Sequence, residues 1–145
     1  MNAAPNKLNA APDIAGPITG NADDETLKSI ADMADHFDVT LRTLRFYEEK
    51  GLLAPVRKGT RRFYRQRDID RMRVILQSKR IGLTLAEIRR VIGLLEGSSP
   101  RDDQLAELHT ICSSQTDLLR EQYEQVRQQL EEVEQVVSQL KDLGS

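Results

Sequence analysis

The last third of the chain places the tightest constraint on its fold. From Arg101 to Leu143 there is no glycine or proline, and Leu105, Cys112, Leu119, Val126, Val133 and Leu140 recur at every seventh position. At ~1.5 Å per residue, about forty helical residues make a rod of roughly 60 Å. A rod with an apolar stripe of that length needs a partner surface. Leu108, Val136 and Leu143 fall on the companion seam, with Gln115, Gln122 and Gln129 in its middle. Glutamines there weaken the seam but help to fix its register. The stretch "GSSPRDD" marks the start, with Ser99 as N-cap, Pro100 as the first helical residue, and Asp102 and Asp103 favourable to the helix dipole. Because no second helix of this length is legible, the expected partner is another copy of the chain. The competing reading folds the helix back on its own domain.

Charge is segregated along the chain. Between Thr26 and Leu95, Lys and Arg outnumber Asp and Glu two to one, whereas acidic residues predominate from Glu96 onward, and the net charge is only -2. A basic block of this kind is the electrostatic footprint of a protein that meets a polyanion, nucleic acid above all. The plainer reading is a solvated charged face. No apolar run approaches the ~18 residues of a membrane span, and the N-terminus lacks an apolar signal core. One cysteine permits no disulfide framework within the chain. The expected location is the cytoplasm.

Residues 1–25 mix Ala, Asn, Pro and Gly without a period and are expected to be a disordered tail. In "LKSIADMADHF" Leu27, Ile30, Ala31, Ala34 and Phe37 share one helical face. Asp38 and Val39 form a turn, and Thr40 can cap a second helix that sends Leu41, Leu44 and the ring of Phe46 or Tyr47 to the core. Two short helices joined this way are a helix-turn-helix, whose second helix enters the major groove with its N-terminal residues toward base edges. Thr40, Arg42, Thr43 and Arg45 lie in that region, with Tyr47 following. Arginine suits both guanine and phosphate, because its planar fork bonds either one bidentately.

Pro55 is expected to end this helix, and "VRKGTRRFY" forms two short extended runs around Gly59 and Thr60, a β-hairpin. Arg57, Lys58, Arg61, Arg62, Arg65 and Arg67 alternate with Phe63 and Tyr64. One face can pack inward while the other offers cations and the Tyr64 hydroxyl to a phosphate backbone. A hairpin that merely covered a core would not need so many cations. Two more helices follow, one carrying Ile69, Met72, Val74, Ile75 and Leu76 and ending at Gly82, the other opening at Thr84 with Glu87 at capping-box spacing.

Three collinear pieces, "TLRFYEEKGLL", "RRFYRQRD" and "RIGLTLAEIRRVI", resemble the DNA-binding domain of the mercury-resistance-regulator (MerR) family of bacterial transcription factors. The resemblance covers about half the chain. It implies a mainly α protein: a winged helix-turn-helix domain over 26–97 with a small hairpin wing, then a dimerisation helix over 98–145 pairing as an antiparallel coiled coil. It further implies a homodimer on double-stranded promoter DNA, bound at a pseudo-palindromic site and controlling transcription by distorting the spacer read by RNA polymerase. The candidate DNA contacts are Thr40, Arg42, Thr43, Arg45, Tyr47, Arg57, Lys58, Arg61, Arg62, Tyr64 and Arg65. The candidate dimer contacts are Leu105, Leu108, Cys112, Leu119, Val126, Val133, Val136 and Leu140. Relatives often carry Ser or Thr after the hairpin tyrosine, where this chain has Arg65 and Gln66, so the expectation is that either Asp68 serves as the cap of the next helix or that end frays.

Cys112 and His109 could supply two metal ligands per subunit, yet Cys112 sits in the apolar seam, where cysteine packs as a small hydrophobe. Packing is the favoured reading, and no metal or cofactor is expected. Neither a phosphate loop nor an HExxH motif occurs, and the pairs Glu48-Glu49 and Asp102-Asp103 diverge on helices as solvated or capping groups. Catalysis is not expected. The alternative function is an architectural, nucleoid-type DNA-binding protein, or a coiled-coil adaptor, with little sequence preference.

Overall fold

Short-range caps set the element boundaries at the start of the folded region. In the computed structural model, which describes residues 11–18 and 27–144, Ser29 accepts from the Asp32 amide at 3.1 Å and starts α1 (Ile30–Phe37). Asp38 then takes the left-handed conformation at φ 51°, which a short polar side chain tolerates. The Val39 amide returns to the Ala34 carbonyl at 3.0 Å. Thr40 accepts from the Thr43 amide at 3.1 Å and opens α2 (Leu41–Glu49). The helix-turn-helix and its Thr40 cap are therefore present as expected.

The stretch before α1 differs from the expected helix. Lys28–Ser29 is a strand, β1, which pairs antiparallel with β3 (Arg61–Tyr64), and β3 pairs in turn with β2 (Val56–Lys58). The hairpin is thus part of a three-stranded sheet of order β1-β3-β2. Starting the helix at Ile30 moves its inner face: Met33 and Ala34 are buried, and Ala31 is exposed. Backbone pairing to β3 holds Lys28 and Ser29 extended, a long-range effect that outweighs local helical spacing.

α2 ends before Pro55. Gly51 has φ 74°, and the amides of Gly51 and Leu52 bond the carbonyls of Glu48 and Tyr47 at 3.0 and 2.9 Å. This is a Schellman closure, which glycine permits because it has no Cβ to clash at positive φ. α3 (Gln66–Arg80) ends the same way at Gly82, φ 86°. Its start carries no side-chain cap. Arg65 occupies the N-cap position, and the buried Asp68 instead accepts from the Ala54 amide at 3.2 Å, tying the loop after α2 to α3. At α4 (Leu85–Glu96) the Thr84 hydroxyl accepts from the Glu87 amide and donates to the Glu87 carboxylate at 3.0 Å, so the capping box closes side chain to side chain. Tyr47, Tyr64, Met33, Leu44, Leu53, Met72, Ile75, Ile88 and Val91 form the core.

Within the expected tail, residues 11–18 are ordered against α3; the rest of it lies outside the described residues. A short 3-10 turn, Asp13–Ala15, buries Ile14 and Ala15. Gln77 Oε1 accepts from the Ile14 amide at 2.5 Å, Arg73 donates to the Pro17 carbonyl at 3.0 Å, and Arg101 donates to the Ala15 carbonyl. A tail expectation built on composition misses this, because one isoleucine and a few backbone groups suffice when α3 supplies matching partners.

α5 (Arg101–Leu143) is one continuous helix. Its first turn takes Asp103 and Gln104 amide bonds on the Pro100 carbonyl, both at 3.0 Å, so Pro100 stands one place outside the helix. The chain divides into two compact units, Met1–Leu108 and His109–Ser145. The division between these two units falls within α5.

Candidate nucleic-acid interface

Capping dictates which side chains of α2 are available. The Thr40 and Thr43 hydroxyls bond each other at 2.9 Å, and Thr40 also takes the Thr43 amide. Both threonines fix the helix start. Leu44 and Tyr47 turn inward, and Tyr47 is only 1% exposed. Arg42 and Arg45 project outward as exposed side chains. Arg45 joins Ser29, Thr60, Arg61, Arg62 and Phe63 around a cleft between α2, β1 and the hairpin.

The hairpin, or wing, divides its cations by register. Lys58 and Arg61 are cross-strand partners beside the Gly59-Thr60 turn, and both are exposed. One pair further in, Arg57 faces Arg62, a like-charge juxtaposition that would be unfavourable alone. Glu48 of α2 relieves it, with Arg62 Nε at 3.1 Å and Arg57 Nη2 at 3.8 Å. Glu48 is therefore an ion-pair hub between α2 and the wing, where a solvated or capping group was expected. Arg62 is largely covered by this contact. Arg65 is half-buried at the N-cap of α3. Arg67 is paired with Glu96.

Two tyrosines expected at the interface belong to the core. Tyr64 is 0% exposed, and its hydroxyl is buried with no hydrogen-bond partner among the described residues. Burial, reinforced by the Glu48 carboxylate, pushes its pKa up to about 12. Tyr47 is likewise enclosed. Both rings are enclosed in the domain, unlike the exposed cations around them. The alternation of aromatic and cation was legible in sequence; the burial of Tyr64 depends on α1 and α3, which pack against β3.

Behind this face, α3, α4 and the loop after α2 are locked by Glu96. Arg71 bonds Glu96 through Nε at 2.5 Å and Nη2 at 2.7 Å and also donates to the Leu52 carbonyl at 3.1 Å. Arg67 adds bonds of 3.2 and 3.0 Å. Burial alone would raise the Glu96 pKa, but the hydrogen bonds of Arg71 and Arg67 hold it at about 2. Asp68 is displaced the other way, raised by burial against the opposing Ala54 amide. Sequence spacing offered no signal for these pairings, since their partners lie far apart in the chain.

Along α5, Leu105, Leu119, Val126, Val133, Val136 and Leu140 are exposed and Cys112 is half-buried. Leu108 is 4% exposed. It is buried within the chain itself, as is Gln104, unlike the exposed members of the seam. Tyr123, Leu130 and Val137, which lie outside the two seven-residue seams, are exposed as well. They follow Leu119, Val126 and Val133 by four residues, giving an apolar row of alternating four and three from Leu119 to Leu140. That row contains no glutamine. The signal was present in the sequence, because the +4 neighbour shares a helical face as well as the +3 neighbour does. Burial raises the Cys112 thiol pKa, in keeping with cysteine as a packing residue. Among the described residues, no three His, Cys, Asp or Glu side chains gather as a ligand set, and no helix is long and apolar enough to cross a membrane.

This arrangement has close counterparts. Residues 28–94 match the model of the MerR HTH family regulatory proteins, and residues 69–143 match the MerR DNA-binding model. A mercuric resistance operon regulatory protein of Serratia marcescens is 36% identical over 87 residues, which is 57% of this chain and 60% of that protein. The chain thus spans about three fifths of that relative's length. A crystal structure of a MerR-family transcriptional regulator from Bacillus cereus covers 72% of this chain and 75% of its own, with a TM-score of 0.54 and 27% identity. HiNmlR, a MerR-family regulator lacking the sensor domain and crystallised with promoter DNA, shares the fold at a TM-score of 0.52 and 22% identity, over 73% of this chain and 80% of that one. With one of these models spanning half its length and the helix-turn-helix and wing formed as described, the chain belongs to the MerR family of helix-turn-helix regulatory proteins.

Proposed function

We propose that this chain is a transcriptional regulator that binds promoter DNA as a homodimer. One observation carries the reading: the exposed cations Arg42 and Arg45 of α2 and Lys58 and Arg61 of the wing stand on a helix-turn-helix scaffold held rigid by Glu48 and Glu96. A groove-entering helix flanked by a cationic hairpin meets base edges and neighbouring phosphates together. The exposed row from Leu119 to Leu140 supports pairing of two copies through α5 in an antiparallel coiled coil, which suits a pseudo-palindromic site. Bending a DNA site of about 20–30 base pairs costs roughly 1–6 kcal/mol, which contacts from the wing would help to offset. RNA polymerase at the same promoter is the expected partner, in the cytoplasm, and no catalytic step is assigned to the chain.

Footprinting on genomic fragments selected by the protein tests this reading. The expected result is protection of a promoter palindrome with hypersensitive cleavage at its centre. Coverage of all fragments alike would instead favour an architectural role and overturn the proposal.

A further inference from the structure

The first turn of α2 exposes an aliphatic side chain where a groove-entering helix ordinarily carries polar ones. Leu41 is 42% exposed at the first helical position, beside the exposed Arg42. Thr40 and Thr43, which flank it, spend their hydroxyls on each other and on the cap. A second exposed apolar group on the helix, Phe46, has the Lys50 ammonium 5.5 Å from its ring centre and the Tyr47 ring against it edge to face. Phe46 thus has an intramolecular use, in supporting Lys50.

The major groove offers one apolar feature, the C5-methyl group of thymine, while the other edge groups are hydrogen-bond donors and acceptors. An aliphatic side chain at the leading end of the helix gains nothing from those polar groups and gains from covering a methyl. Resting on the DNA-binding function proposed above, we propose that Leu41 is a specificity-determining residue that selects thymine at one position of each half-site by packing on its 5-methyl group. Arg42 and Arg45 read or grip polar groups beside it. The discrimination is against cytosine and uracil, which lack that methyl.

The test uses the full chain and a duplex bearing its best site, selected from random sequence. Each thymine is replaced in turn by deoxyuridine, which removes the methyl and leaves the base pair unchanged. Burial of one methyl corresponds to roughly fourfold in affinity. Wild-type protein is expected to lose about that factor at one thymine per half-site, and Leu41→Ala, at an exposed position that leaves the fold intact, is expected to bind both duplexes equally. A selected site at which no replacement matters, or at which Leu41→Ala keeps the wild-type response, overturns this inference and leaves the regulator reading standing. Failure to select any sequence overturns both.

Discussion

Replacing Glu96 by glutamine removes the charge that holds two guanidinium groups while keeping the side chain's size. Arg71 is well covered, with 13% of its side chain exposed against 46% for Arg67. The carboxyl is held at about 2 instead of its ordinary 4.5. Taken at face value that difference corresponds to roughly 3 kcal/mol of folding stability. Solvent screening around the half-exposed Arg67 reduces it, and about 1–2 kcal/mol is expected for Glu96→Gln at neutral pH. The sign follows from linkage. A carboxyl whose pKa is depressed by folding stabilises fully above its unfolded value near 4.5, and its contribution disappears as pH falls from there toward 2. Urea denaturation followed by circular dichroism, at one fixed protein concentration, should therefore give a wild-type advantage of about 1–2 kcal/mol at pH 7 that shrinks steadily below pH 4.5. An advantage that is the same at pH 7 and pH 3, or absent at both, would show that the charge is not what joins α3 to α4.

Four other outcomes are expected. Arg61→Ala should weaken binding to every duplex and lower the slope of log affinity against log salt by about 0.9 per lost phosphate contact, whereas Arg42→Ala should change base preference; identical behaviour in titrations at several salt concentrations would contradict that division. Tyr64→Phe should leave DNA affinity within about twofold and stability unchanged or slightly higher, since the deleted hydroxyl is buried without a partner; a large affinity loss in the same titrations would return Tyr64 to the interface. Leu130→Asp places a charge in the middle of the exposed row and should convert dimers to monomers in sedimentation velocity without loss of helix content; an unchanged mass would refute the four-and-three row as the pairing surface. Ile14→Ala should cost about 2 kcal/mol and open residues 11–18 to limited proteolysis, and equal resistance of the two proteins would mean that the segment is not anchored through Ile14.

Much of the candidate site was legible from residues a few places apart. The Thr40 cap, the Asp38 turn, the Gly59-Thr60 hairpin turn and the spacing that opens α4 at Thr84 are interactions within three or four residues, so the residue types specify them almost irrespective of the surroundings. The apolar row on α5 is equally local, since Leu119, Tyr123, Val126 and Leu130 follow one another by four and three residues.

What composition and periodicity left open was settled by contacts across the chain. Lys28 and Ser29 are a strand because β3 lies beside them, and Tyr64 is a core residue because α1 and α3 pack against its strand. Ile14 is buried because Gln77, Arg73 and Arg101 stand ready for the backbone around it. Arg62 and Arg67 look like free cations in sequence and are spoken for by Glu48 and Glu96. A side chain's own preferences determine the local geometry of its backbone, but burial and charge pairing depend on which distant groups arrive at the same place, and that is fixed only when the whole domain closes.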